Sequence, residues 1–380
     1  MHFQVVIFSL VCISVNFWST TNLAGEIPPS QQHKVIEHQE SVWRAFNIAT
    51  VEHYIIPAYG LLANATKQLY KTSQRFCQTI VEVNPDKSQH QLTQTKATFN
   101  QAMDAWQGIQ NISFGPIEIA MRYHSIQFWP DKKNHTGKQL NKLISSRKPS
   151  NLTKDGFEKN SVCIKGFPAI ERLLYSENPI DTLTEKPYSC DALQGITRYL
   201  ADTSQSLHQE WTSTMLPQFK DAKQLDGYFE DDIDAATALL KTLVEPIEVI
   251  RDLKLTRPLG SHFDKVKFKR LESWRSTRSL RNLSLNIESL AVLFKSEYSK
   301  KTGLSSIFTE HENNKILASF SEVQQNLKTI QSPLESSILT VEGYKATETL
   351  NASLTKLHKN LEQAISQHGI HLGFNSRDGD

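Results

Sequence analysis

The stretch Gly166-Phe167-Pro168-Ala169-Ile170-Glu171 sets a carboxylate within the first turn of a helix, directly after a glycine. Pro168 has no backbone N–H and a fixed φ, which suits a helix start, where a donor would go unpaired anyway. Glu171 then sits close to the positive end of the helix dipole. Two readings stand. The carboxylate belongs to a ligand site that Gly166 opens to close approach, or it is a helix-start charge that stabilises a short helix. A second dense stretch, Arg270 to Asn282, carries Glu272, Arg275 and Arg278 at three-residue steps. On a helix these would form a ladder of ion pairs along one face. The two guanidiniums would suit bidentate clamping of a carboxylate or phosphate, or would fasten one set of helices to another by pairing with Glu118 or Glu171. A third group is Phe114-Gly115-Pro116-Ile117-Glu118 with Arg122, followed by Phe128-Trp129-Pro130-Asp131. Aromatic and charged residues broken by glycine and proline read as loops packed over a core or lining a cleft.

Other chemistries have little support. HExxH, a nucleotide-binding glycine loop and Gly-x-Ser-x-Gly are all absent. His368 and His371 are an i, i+3 pair with no third ligand near them in sequence. Asp378-Gly379-Asp380 is a compact acidic cluster that suits a hard cation through oxygen, or is simply a frayed end. Six Asn-x-Ser/Thr sequons, at Asn64, Asn111, Asn134, Asn151, Asn282 and Asn351, matter only in a eukaryotic secretory pathway.

The elements that must position these residues are helices. Apolar residues recur at helical spacing over Val35–Ile80, Gln91–Gln110, a short stretch at Lys138–Ile144, Cys190–Met215 and Asp231–Leu255. Pro57 and Pro246 are expected to kink or break their helices. Three further stripes follow: Leu283, Ile287, Leu290 and Phe294; Ile316, Phe320, Val323, Leu327 and Ile330; and Leu350, Leu354, Leu357, Leu361 and Ile365. They predict long bundle helices. With Gly (15) and Pro (14) both sparse in 380 residues, an all-α fold of two helical-bundle lobes is expected. The lobes divide as 30–216, with the Gly166–Glu171 motif, and 217–380, with residues 217–229 as connector.

Lys plus Arg (42) nearly balance Asp plus Glu (40), a net charge of +2, so no global field calls for nucleic acid or an anionic membrane. Residues 1–24 carry no Lys, Arg, Asp or Glu, and Phe3 to Val15 resembles the apolar core of a signal peptide, so export is expected. Val11 before Cys12 argues against lipid attachment there. No later stretch is long and apolar enough to span a bilayer. Cys77, Cys163 and Cys190 leave an odd number after the signal, so one pair and one spare thiol are expected in an oxidising compartment.

Several stretches in order resemble the imelysin-like family of bacterial envelope proteins, also classed as M75 peptidases. They are His53 to Tyr59, Ala105-Trp106-Gln107 with Phe114 to Glu118, Phe128 to Asp131, Gly166 to Leu174, Lys254-Leu255 with Arg257-Pro258-Leu259-Gly260, Glu272 to Ser276 with Arg278-Ser279-Leu280, and Leu372 to Asn375 with Asp378-Gly379-Asp380. The resemblance implies two helical-bundle halves, export to the periplasm or envelope, and a link with iron uptake and its envelope partners. The family motif is Gly-x-His-x-x-Glu, whose His and Glu share a metal. Here Pro168 stands at the His position, as in a Gly-x-Pro-x-x-Glu branch, which leaves Glu171 as the one motif ligand and tells against peptidase activity. The resemblance also implies a Cys77–Cys190 disulfide, with Cys163–Cys190 as the rival. Together these readings give a non-proteolytic accessory protein of iron uptake, with an envelope scaffold and then a metallopeptidase as alternatives. Its expected site combines Gly166, Pro168, Glu171, Glu118, Arg122, Trp129 and Asp131 with Glu272, Arg275 and Arg278. Carboxylates mixed with arginines suit iron in an anionic carrier better than a bare soft metal.

Overall fold

Helices account for all the regular secondary structure among the residues that the computed structural model describes, 41–82, 84–296 and 302–373. The signal-like segment with Cys12, the start of the first expected helix and the Asp378-Gly379-Asp380 cluster lie outside the described residues. The main helices are α1 (Ile56–Val81), α2 (Pro85–Gln107), α3 (His135–Ser146), α4 (Phe167–Leu174), α5 (Tyr188–Glu210), α6 (Asp232–Glu248), α7 (Ser279–Lys295), α8 (Glu310–Thr329) and α9 (Val341–Gln367). All-α architecture is what the periodicity predicts.

Prolines inside the long helices neither break nor end them. Wide π turns at Val51–Ile55, Trp211–Met215 and Val249–Thr256 each stop two residues before a proline, Pro57, Pro217 and Pro258 respectively. A proline cannot donate to the carbonyl four residues back, and the i→i+5 register lets the next N–H take that carbonyl instead. Residues 41–50 therefore run on into α1, and Trp211–Met215 carries α5 into a last turn at Leu216–Lys220. Local caps fix the other starts. Asn84 accepts from Lys87 N, Asp231 accepts from Ile233 N and Asp234 N, and Thr309 with Glu312 makes a reciprocal capping box.

Helices α1, α2 and α5 pack as one set, and α6, α8 and α9 as another, with α7 lying against α2 and so joining them. Both sets belong to one compact unit, Glu40–Asp380. The apolar stripes of α7, α8 and α9 are buried throughout. The connector at 217–229 is not a loose strap, because Phe219 and Phe229 are buried with ring centroids 4.6 Å apart. A disulfide joins Cys77 on α1 to Cys190 on α5, with Cα atoms 5.5 Å apart, while Cys163 is buried outside any disulfide. Asn111 is buried, bonded to Tyr54 and to the Thr242 carbonyl, so the folded chain leaves no space for a glycan at that sequon.

Candidate functional site

Gly166 lets α4 start hard against another part of the chain. A Cβ built there would stand 2.1 Å from the Ile126 carbonyl oxygen and 2.3 Å from that of Ser125. The close approach expected of this glycine is thus to the chain's own backbone. It brings Pro168 and Glu171 beside the loop that begins at Gln127. In that loop Asp131 serves as a cap: its carboxylate accepts from His135 N at 2.7 Å and Thr136 N at 2.9 Å, fixing the start of α3. Burial works against its charge, but those bonds and the nearby Arg172 guanidinium outweigh it and hold the carboxyl below the ordinary range.

Glu171 faces residues more than a hundred positions away. One of its oxygens accepts from Ser276 N at 2.9 Å and from Ser276 Oγ at 2.6 Å. Burial nevertheless pushes its pKa up, and the Ser276 bonds and the Arg275 and Arg172 charges only partly offset this. A carboxyl whose folded pKa lies above its unfolded value stabilises the fold below the ordinary carboxylate range and loses that contribution as pH rises through the folded value. Wild-type stability relative to Glu171→Gln should therefore decline as pH rises from the ordinary carboxylate range towards neutrality. Urea unfolding of both proteins across that range checks this, and a constant gap would contradict it.

The segment 272–278 is not helical. Ser273 and Thr277 both take left-handed backbone conformations, with φ of 55° and 53°, and α7 begins only at Ser279. The expected ladder of Glu272, Arg275 and Arg278 on one helix face is therefore replaced by three separate assignments. Glu272 turns inward to Lys254 at 2.8 Å, both side chains almost wholly buried, and also accepts from Gln127 at 3.0 Å. Arg278 pairs with Asp104, which also takes Arg281 at 3.0 Å. Arg275 stacks on Trp274, its guanidinium 4.2 Å from the ring centroid, on the Glu171 side.

These elements enclose a cavity of about 670 Å³. Trp129, Asp131, Pro168, Glu171 and Arg275 all line it, with Phe128, Phe167, Phe268 and Trp274 as an aromatic wall. Its rim is basic. Lys132 and Arg172 come from one side, and Arg257, Lys267, Lys269, Arg270 and Arg275 from the other, against only Asp131 and Glu171 as acids. Seven cations against two carboxyl groups make the field cationic. Cation and aromatic faces together suit a flat or conjugated anion.

The remaining expected residues lie elsewhere. Arg122 is clamped to Glu210 by two bonds of 2.6 and 2.9 Å and donates to the Pro116 carbonyl. Glu118 accepts from Gly115 N at 3.2 Å and from the Tyr228 hydroxyl at 3.4 Å. Neither lines the cavity, nor do Gly166, Glu272 and Arg278, which support its walls from behind. His368 is 3.1 Å from Glu312, so it belongs to the α8 cap.

A family model for imelysin, peptidase family M75, matches residues 55–361. The chain belongs to the imelysin family. Among the crystal structures that this imelysin fold matches are two from bacteria. One is described as an iron-regulated protein A precursor from Parabacteroides distasonis, with a TM-score of 0.73 at 14% identity, covering 87% of this chain and 95% of that one. The other is an imelysin-like protein from Psychrobacter arcticum, with a TM-score of 0.67 at 16% identity, covering 88% and 98%. At such identities the likeness speaks to fold. No curated protein matches the sequence of this imelysin chain.

The metal implied by the family motif does not fit this imelysin site. Pro168 offers no donor atom, Glu171 is held by Ser276 between Arg172 and Arg275, and among the described residues no three His, Cys, Asp or Glu side chains are grouped to hold an ion. Sequence reasoning missed Arg172, Ser276 and the Lys267–Arg270 rim. The one available signal was the density of basic residues between Lys265 and Arg281.

Proposed function

We propose that this imelysin-family protein is a non-proteolytic binding component that captures iron in an anionic carrier and serves iron uptake. The observation that carries this reading is the cavity's excess of cations over acids beside an aromatic wall, with both acids already engaged by backbone N–H groups. Arg275 and Arg172 receive the carrier's carboxylates or phenolates, and Glu171 sets the Ser276 turn that aims Arg275. The protein then acts in the periplasm or at the envelope and passes its cargo to envelope iron-uptake proteins. The description of the Parabacteroides structure as an iron-regulated precursor supports the link with iron and with export.

Ferric citrate is a suitable probe. Arg275→Ala should weaken its binding about tenfold or more, since bonds to charged groups contribute about 1.5–3 kcal/mol. Arg122→Ala, which removes a guanidinium outside the cavity, should leave that affinity unchanged. Calorimetric titration of the three proteins decides it, and equal losses in both variants would contradict the assignment.

One observation favours a second reading. The motif carboxylate is spent on a cross-tie to Ser276, as a purely structural motif would be. An envelope scaffold would then be recovered from extract with one stoichiometric partner and would bind no chelate.

A further inference from the structure

The aromatic side chains of the cavity wall are not equivalent. Phe167 is wholly buried and packs on Phe99, with ring centroids 5.8 Å apart. Phe268 packs edge-to-face with Trp274 at 5.9 Å, and the Trp274 ring already carries the Arg275 guanidinium, with the Lys269 ammonium 5.7 Å from its centroid. Phe128 leans on the hydrophobic core. Trp129 differs from all of these. It is half-buried, yet among the described residues no ring packs on it, no cation lies over it, and it is not part of the hydrophobic core or packed against it.

A tryptophan presents a large, flat apolar face, whose contact with water costs free energy and which favours an offset aromatic partner. The cavity around it supplies charge. The Trp129 loop contributes Lys132, and the opposite segment contributes Arg257, Lys267 and Arg270 besides the two cations held at Trp274. A carboxylate chelate such as ferric citrate meets these cations and leaves the Trp129 face wet. A catecholate meets both, because its ring carries the anionic oxygens directly. Those oxygens accept from guanidinium and ammonium donors while the ring lies against the indole.

Resting on the reading of this cavity as an anion site, we infer that Trp129 is the stacking platform for an aryl group of the ligand, which makes the iron carrier an aromatic chelate of the catecholate class. The cations of the rim decide that an anion binds, and Trp129 decides which anionic chelate is preferred.

Two chelates test this by calorimetric titration: ferric citrate, and the ferric complex of a tripodal ligand with three catechol groups. Wild type should prefer the tris-catecholate by about tenfold, the scale of one aromatic contact. The ratio of the two affinities is then measured in two variants. Trp129→Phe keeps a ring and should keep most of the preference, whereas Trp129→Leu keeps apolar bulk without a ring and should bring the two affinities level. Equal affinities in wild type, or a preference that survives Trp129→Leu, would overturn this inference alone, the second by showing that charge rather than stacking sets the preference. Complete loss of the preference in Trp129→Phe would overturn it too, since a merely structural tryptophan behaves that way. Failure of both chelates to bind the wild-type protein would overturn the anion-site reading and this inference with it.

Discussion

Lys254→Ala is expected to lower folding stability by about 3–5 kcal/mol, the cost of breaking a buried ion pair by removing one partner. The Lys254 ammonium reaches Glu272 at 2.8 Å, Gln110 and Asn286 at 2.6 Å each, and Gln107 at 3.2 Å. Burial pushes its pKa down, and the Glu272 charge offsets only part of that shift. Truncation would strand the Glu272 carboxylate in the interior with Gln127 as its remaining side-chain partner. Adding Glu272→Gln to Lys254→Ala removes the stranded charge. The double variant should therefore be more stable than the sum of the single changes allows. Urea unfolding of the four proteins measures this, and strictly additive losses would contradict it. Because Gln127 lines the cavity, Lys254→Ala should also loosen the ligand loop.

Gly166→Ala is expected to cost about 3 kcal/mol, the upper end for a methyl group forced into packed surroundings. The added Cβ meets two backbone carbonyls well inside contact distance, and neither is the free end of a flexible side chain. The strain has one outlet, separation of α4 from the segment that leads into Gln127–Asp131. Both faces of the cavity would then shift, so ferric citrate affinity should fall together with the unfolding midpoint. A variant with wild-type stability would show that the two segments are not held in this contact.

Much of the architecture was legible because helix burial is written locally. Leu283, Ile287, Leu290 and Phe294 point one way whatever surrounds them, and all are buried. The prolines were legible as perturbations but not as π turns, since whether a helix breaks or widens depends on packing that the local sequence does not state. The site was legible in residue type and obscure in partnership. Glu171 meets Ser276, Glu272 meets Gln127, and Arg278 meets Asp104, contacts that span 105, 145 and 174 residues. No periodicity reports such pairings. The three-residue steps of Glu272, Arg275 and Arg278 suggested a helix face, yet Ser273 and Thr277 adopt left-handed conformations, and this sends the three side chains to different places. Glu118 and Arg122 likewise carry the right chemistry, but their own short-range and α5 partners engage them away from the cavity.

The central claim is that the basic, aromatic-walled cavity beside Glu171 binds an anionic iron chelate. Calorimetric titration of the wild-type protein with ferric citrate, repeated at rising sodium chloride, tests it most directly. The account predicts one saturable site per chain whose affinity falls steadily with salt, as charge pairing at a solvent-open rim requires. Absence of saturable binding at low salt, or binding that is indifferent to salt, would contradict it.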